Sequence, residues 1–140
     1  MLDASVTQAR MDALIDDHYR AEEAGDLDAI VEGFIPDAVH DVSGNPDGPR
    51  HGGEQIADFY RDLLAELRID RFETVRRWYG ERHAVDESIL HATAVGRPFG
   101  LDGRGRHVNV RLLHLFEFAD GLISRENAWL DMHGLAAQLT

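Results

Sequence analysis

The chain contains no cysteine and no lysine. The first absence excludes disulfides, thiol nucleophiles and thiolate metal sites. The second removes Schiff-base chemistry and a lysine-anchored pyridoxal phosphate. No apolar run is long enough to span a bilayer, and the N-terminus lacks a basic region followed by an apolar core. A soluble, cytoplasmic protein with no membrane association is therefore expected. Positive charge is scarce: 14 arginines face 26 acidic residues, for a net charge of −12. That balance argues against nucleic acid and anionic membrane surfaces as partners. The glycines between residues 96 and 105 form no phosphate loop, because no lysine follows and no helix opens there. No cofactor-binding motif is present.

What remains is the composition of one globular domain spanning residues 1–140, with 44% hydrophobic and 29% charged residues. A helix is expected from about Val6 to Ala24, with Met11, Leu14, Ile15 and His18 on one face and Gly25 as its stop. Asp26 can cap a second helix striped by Leu27, Ile30, Val31 and Phe34, which Pro36-Asp37 ends ahead of a short strand, 38–42. After a Gly-, Pro- and Asn-rich loop, a third helix over 54–67 carries Ile56, Phe59, Tyr60, Leu63, Leu64 and Leu67. Strands follow at 71–79 and 85–95, then a turn-rich connection, then a hairpin. Helices first and an antiparallel sheet afterwards make an α+β fold.

The hairpin carries the chemistry. Val108, Val110, Leu112, His114, Phe116 and Phe118 alternate along its first strand, so one imidazole shares a face with apolar neighbours. Asp120-Gly121 is a strong two-residue turn signal. A ladder built on that turn pairs 118 with 123, 114 with 127 and 110 with 131. It adds Asn127, Trp129 and Asp131 to the face of His114. Buried polar groups need partners, and a pocket would supply them.

Each candidate has two readings. Asp131 among apolar groups has its charged form disfavoured and suits a general base, or else the strand has ended and it caps the terminal helix. His114 donates to an oxyanion or relays a proton, or is a core histidine bonded to Asn127. In a flat ladder the two lie about 13 Å apart, far enough to grip opposite sides of one substrate. His40 and Asp41 face opposite ways, so one or the other looks into the cone mouth, unless Asp41 simply starts a surface turn. His18 and Tyr19 line a pocket or simply pack. His91 shares the inner face if Ile89 and Val95 point inward. A metal site from His91, His114 and Asp131 lacks any recognisable ligand spacing, so no metal is expected. Arg76-Arg77 and the acids of the first helix read as solvated faces.

At these residues the chain resembles a known superfamily. Gly25–Ile30, Asp37–Asp41, His51–Ile56 and Phe59-Tyr60 resemble the first half of the NTF2-like proteins, including ketosteroid isomerase. Leu113–Ile123 and Trp129–Leu139 look most like the SnoaL-like polyketide cyclases. The resemblance implies an NTF2-like cone, a strongly curved antiparallel sheet packed against three helices, usually as a homodimer. It also implies cofactor-free intramolecular aldol condensation of a hydrophobic small-molecule substrate. On that carry-over Asp131 matches the base that takes a carbon-bound proton, and His114 matches the histidine that assists the enolate. Leu112 stands where the cyclases have glutamine, which alters substrate positioning. Asp41 matches the isomerase base, but His114 replaces that enzyme's oxyanion aspartate. Limonene-epoxide hydrolase would need Arg at Leu112 and Asp at His114, and scytalone dehydratase would want His at Arg71. A cyclase, an isomerase-like enzyme using Asp41, and a non-catalytic binding or dimerisation domain remain the alternatives.

Overall fold

The computed structural model describes residues 5–140. Three helices come early: α1 (Gln8–Ala24), α2 (Leu27–Glu32) and α3 (Gly52–Glu66). Six strands, β1 (Phe34–Val42), β2 (Arg50–His51), β3 (Arg68–Tyr79), β4 (His83–Thr93), β5 (His107–Ala119) and β6 (Leu122–Leu130), form one curved sheet in the order β2-β1-β6-β5-β4-β3. A short α4 (Met132–Gln138) closes the chain. The α+β cone is the expected one, with one refinement. β1 runs parallel to β6, whereas every other neighbouring pair is antiparallel.

Local signals explain most boundaries. Thr7 caps α1 by accepting from the Arg10 amide at 3.1 Å, and Gly25, at φ 65°, ends it in the left-handed conformation. Asp26 caps α2 through the Ala29 amide at 3.1 Å. The sequence expectation fails at Phe34, which already belongs to β1, so the strand runs through Pro36. A proline has no N–H to give a ladder, and the β1–β6 register is irregular between Phe34 and Val39.

Two apolar clusters fill the cone. One packs Met11, Leu14, Ile15 and Tyr19 of α1 against Phe34, Ile56, Tyr60, Phe116, Phe118 and Ile123. The other joins Leu67, Ile69, Leu90, Val108, Val110 and Leu112 to Leu135 and Leu139, so the terminal helix caps that end of the sheet. Fully burying one such side chain contributes about 1.5–3 kcal/mol.

The hairpin turn forms as its sequence demands. Asp120 and Gly121 have φ of 53° and 79°, and Ala119 pairs with Leu122 and Phe118 with Ile123. Then the ladder slips: Glu117 pairs with Arg125 and His114 with Ala128. Ser124 is the extra residue of a bulge. Because side chains alternate, that single insertion exchanges the two faces of β6 beyond it. Glu126 and Ala128 turn inward and are buried; Asn127, Trp129 and Asp131 do not join His114 on the inner face. The expected register is thereby corrected. β4 is corrected likewise, since Asp86, Ser88, Leu90 and Ala92 are buried while Ile89 and His91 lie on the outer side. Its ladder with β5 sets this, pairing Asp86 with His114 and Leu90 with Val110.

Candidate functional site

Where the two apolar clusters meet, the interior is polar. His114 comes in from β5, buried, and its Nδ1 lies 2.8 Å from the hydroxyl of Tyr19 on α1. That hydroxyl donates to Oδ1 of Asp86 at 2.6 Å. A phenol has one proton, so its oxygen accepts from His114 Nδ1–H. This fixes the imidazole tautomer and leaves a lone pair on Nε2. Nε2 has no hydrogen-bond partner among the described residues. Asp86 also accepts from Ser88 Oγ at 2.5 Å and from Arg77 Nε at 2.7 Å. Arg77 reaches Asp12 at 2.9 Å and Asp16 at 2.6 Å, with its side chain only 8% exposed. The solvated role expected of Arg77 is therefore wrong, and Glu22 of α1 is buried as well, whereas Arg76, Asp17 and Glu23 are exposed as expected; the half-exposed carboxylates of Asp12 and Asp16 neutralise a guanidinium held at the sheet. Burial alone would raise the Asp86 pKa, but the hydrogen bonds it accepts bring it down to about 2.

A second polar cluster surrounds Glu126. Its Oε1 lies 2.7 Å from His18 Nε2, and its Oε2 lies 3.1 Å from His40 Nε2 and accepts from Tyr60 hydroxyl at 3.0 Å. Glu22, one turn along α1, is 3.1 Å from His18 Nε2. Burial would lower the His18 pKa, yet Glu126 and Glu22 beside it raise it to about 10. Reciprocally, burial works to raise the Glu126 pKa, but His18 and His40 hold its carboxyl well below the usual carboxylate range. A buried ion pair results. The far nitrogens, Nδ1 of His18 and of His40, are buried without hydrogen-bond partners.

Two adjoining cavities reach this region. The outer is a vestibule of about 570 Å³, with apolar walls that include Phe59, Leu63, Phe99 and Met132, and with Asp47, Arg50, Asp62 and Glu66 among its charged residues. The inner is a chamber of about 40 Å³ bordered by His40, Tyr60, His114, Glu126 and Leu112. The two share Val42, Phe59, Leu63, Phe99 and Leu130 as common walls. Phe99 holds a left-handed φ of 53° there, a conformation costly for a bulky residue and often found at ligand sites.

The sequence candidates divide accordingly. His114, Tyr19, His18 and Leu112 come together inside. Asp131 does not: it is exposed and caps α4, accepting from the Gly134 amide at 2.9 Å. Trp129 is 44% exposed, and Asn127 accepts from Arg125 Nε at 2.9 Å instead of meeting His114. Asp41 lies on the outer parity of β1, 3.7 Å from Arg125, while His40 takes the inward place. His91 pairs with Glu73 at 2.8 Å on the outer side. Glu126, Asp86, Ser88 and Arg77 were missed. Among the described residues no group of three or more His, Asp or Glu is arranged to hold a metal ion.

The sequence matches the SnoaL-like domain family over residues 15–126. The chain belongs to the SnoaL-like family. No curated protein matches this SnoaL-like chain. A candidate polyketide cyclase from Xanthomonas campestris pv. campestris superposes with a TM-score of 0.80 at 21% identity, covering 95% of this chain and 98% of its own. TsrD from Streptomyces laurentii gives 0.81 at 23%, covering 96% and 97%. An LEH-like epoxide hydrolase from M. tuberculosis gives 0.74 at 16%, covering 94% and 90%. At these identities the likeness is one of fold, the NTF2-like cone. Function rests on the site.

Proposed function

We propose that this SnoaL-like protein is a cofactor-independent acid–base enzyme of the polyketide-cyclase type, taking an α-proton from a hydrophobic carbonyl compound. The observation that carries the reading is the tautomer of His114. Asp86 binds the Tyr19 proton, Tyr19 binds Nδ1–H, and the Nε2 lone pair is left beside a chamber joined to an apolar vestibule. The vestibule volume of about 570 Å³ is within the usual range for small-molecule sites, roughly 300–1,000 Å³. As Nε2 takes the proton, the imidazolium that forms faces the fixed anion of Asp86, its Oδ1 4.0 Å from Nδ1. A positioned base of this kind contributes about 10²- to 10⁴-fold.

Asp131 and Asp41 have no part in this reading, because both sit outside the cavities. A test uses 2-tetralone, a hydrophobic ketone with acidic α-hydrogens. In D2O the protein should accelerate deuterium uptake at those carbons, and His114→Ala should remove the acceleration. Wild-type rates in that variant would dismiss His114 as the base.

A second copy of the chain is the partner we propose. Trp78, Leu113 and Trp129 stand exposed at 44%, 38% and 44%, and Leu113 and Trp129 are cross-strand neighbours on the sheet. Sedimentation of the purified protein should give a dimer, and a monomer at micromolar concentration would dismiss it.

A further inference from the structure

Arg50 enters the vestibule from the edge strand β2. Its ladder partner is His40, and paired residues share a face, so its side chain leaves the sheet on the same inner side as that imidazole. It lines the vestibule and is only 20% exposed. Yet among the described residues the guanidinium makes no hydrogen bond. Nε is buried without a partner. Nη2 stands 3.6 Å from Oδ2 of Asp47, beyond hydrogen-bond distance, and that carboxylate is 74% exposed. Arg77 shows how differently this chain treats its other buried guanidinium: Nη1, Nη2 and Nε meet three carboxylates at 2.9, 2.6 and 2.7 Å.

Taking a charge out of water without returning its hydrogen bonds is costly. A guest in the vestibule would return them. Since Nε is sealed, the guest meets the guanidinium end-on at Nη1 and Nη2, a fork that matches the two oxygens of a carboxylate. The acids of the vestibule do not fill that place. Glu66 gives Oε2 to the Arg97 amide, and Asp47 and Asp62 are exposed. With a net charge of −12 the rest of the molecule repels anions, so an anion that settles here needs a cation at short range.

The strand registers place this cation relative to the base. Arg50 is level with His40 and Glu126, whereas His114 is level with Ala128 and Val42. The two are thus three strands and two residues apart, about 14 Å across and about 7 Å along a flat sheet, before their side chains reach in over the concave face. A carboxylate on the carbon next to the reacting one would not span that separation. One farther along the skeleton would, because the vestibule and the inner chamber adjoin.

We propose that Arg50 anchors the carboxylate of a hydrophobic keto acid, one whose acid group lies several bonds from the ketone, and so points the α-carbon at His114. The proposal rests on His114 being the base and names the substrate class of that site. Arg50 grips the guest away from the reacting atoms, equally in the ground and transition states, so it acts on KM and not on kcat.

The test compares 6-carboxy-2-tetralone with its methyl ester in the deuterium-exchange assay at pH 7, where the acid is ionised. The wild-type KM should be about 10- to 100-fold lower for the acid, the range of a charge-assisted hydrogen bond. Arg50→Met, similar in length and with no hydrogen bond to lose, should bring the two KM values together. Equal wild-type KM values, with His114→Ala inactive, overturn the anchor and leave the base in place. Exchange that survives His114→Ala overturns the base, and with it the aiming of the substrate. Calorimetry with 2-naphthoate and 2-naphthamide gives a reading free of turnover. The wild-type protein should bind the anion about 10-fold or more tightly than the amide, and Arg50→Met should abolish that preference. Equal affinities, or a preference that survives Arg50→Met, overturn the anchor whatever the exchange assay gives.

Discussion

Nε2 of His18 lies 2.7 Å from Oε1 of Glu126, with both side chains sealed from water. Such a pair is weak support for stability in itself, since desolvating two charges offsets most of their attraction. Breaking it is another matter, because one charge is then stranded. His18→Leu leaves the Glu126 carboxylate facing only His40 and Tyr60, and should cost about 3–5 kcal/mol. Urea denaturation measures this. A loss under about 1 kcal/mol, the level of an exposed pair, would contradict the burial of the cluster.

The same groups set the pH dependence. Asp86 has its pKa lowered to about 2 from an ordinary 3.8, and Glu126 is also lowered. Their contribution is complete above the ordinary carboxylate range and is lost as pH falls towards 2. His18 is raised from 6.5 to about 10, so its contribution is full below 6.5 and is lost as pH climbs through 10. Stability should therefore plateau between about pH 5 and 6.5 and decline on both sides. Asp86→Asn should flatten part of the acid decline. Midpoints that keep rising from pH 6.5 to 10 would contradict the His18 assignment.

Asp131 is the residue on which the sequence and the structure part most clearly. As an N-cap it holds the Gly134 amide, and replacement of such a cap by alanine costs about 1 kcal/mol. Asp131→Ala should lower the unfolding free energy from urea denaturation by that amount and leave ketone exchange untouched. Abolished exchange with intact folding would return the aspartate to the chemistry.

The reason for that parting is one residue long. The helix stripe at Met11, Leu14 and Ile15, the Asp120-Gly121 turn and the inward parity of His114 were all legible, because each depends on neighbours a few positions away. The bulge at Ser124 was not, since nothing in Leu-Ile-Ser-Arg-Glu-Asn announces an extra residue. Reading β6 from its far end would have helped: Ala128 and Leu130 share the parity of Glu126, whereas Asn127 and Asp131 share the polar one. Parity also favoured His40, which alternates with Ala38 and Val42. Arg77 and Asp86 were hidden for a different reason. Their burial depends on each other and on two acids of α1, more than 60 positions away from Arg77 along the chain, a coincidence that only the fold creates.

Tyr19 tests whether His114 must be held as well as present. Its ring stacks on Phe72 at 4.0 Å, so Tyr19→Phe retains the packing and removes only the oxygen between His114 Nδ1 and Asp86. Asp86 still keeps Arg77 and Ser88, and the fold should survive with a similar urea midpoint. His114, however, loses the acceptor that fixes its tautomer, and the nearest carboxylate oxygen stands 4.0 Å off, too far for a hydrogen bond. Nε2 is then protonated in part of the population and the ring is free to turn. Displacement of a catalytic group by about 1 Å costs on the order of 10²-fold, so kcat for 2-tetralone exchange should fall to that extent while KM, set by the vestibule, stays near the parent's. A rise in KM with kcat unchanged would make Tyr19 a wall of the pocket and His114 independent of it.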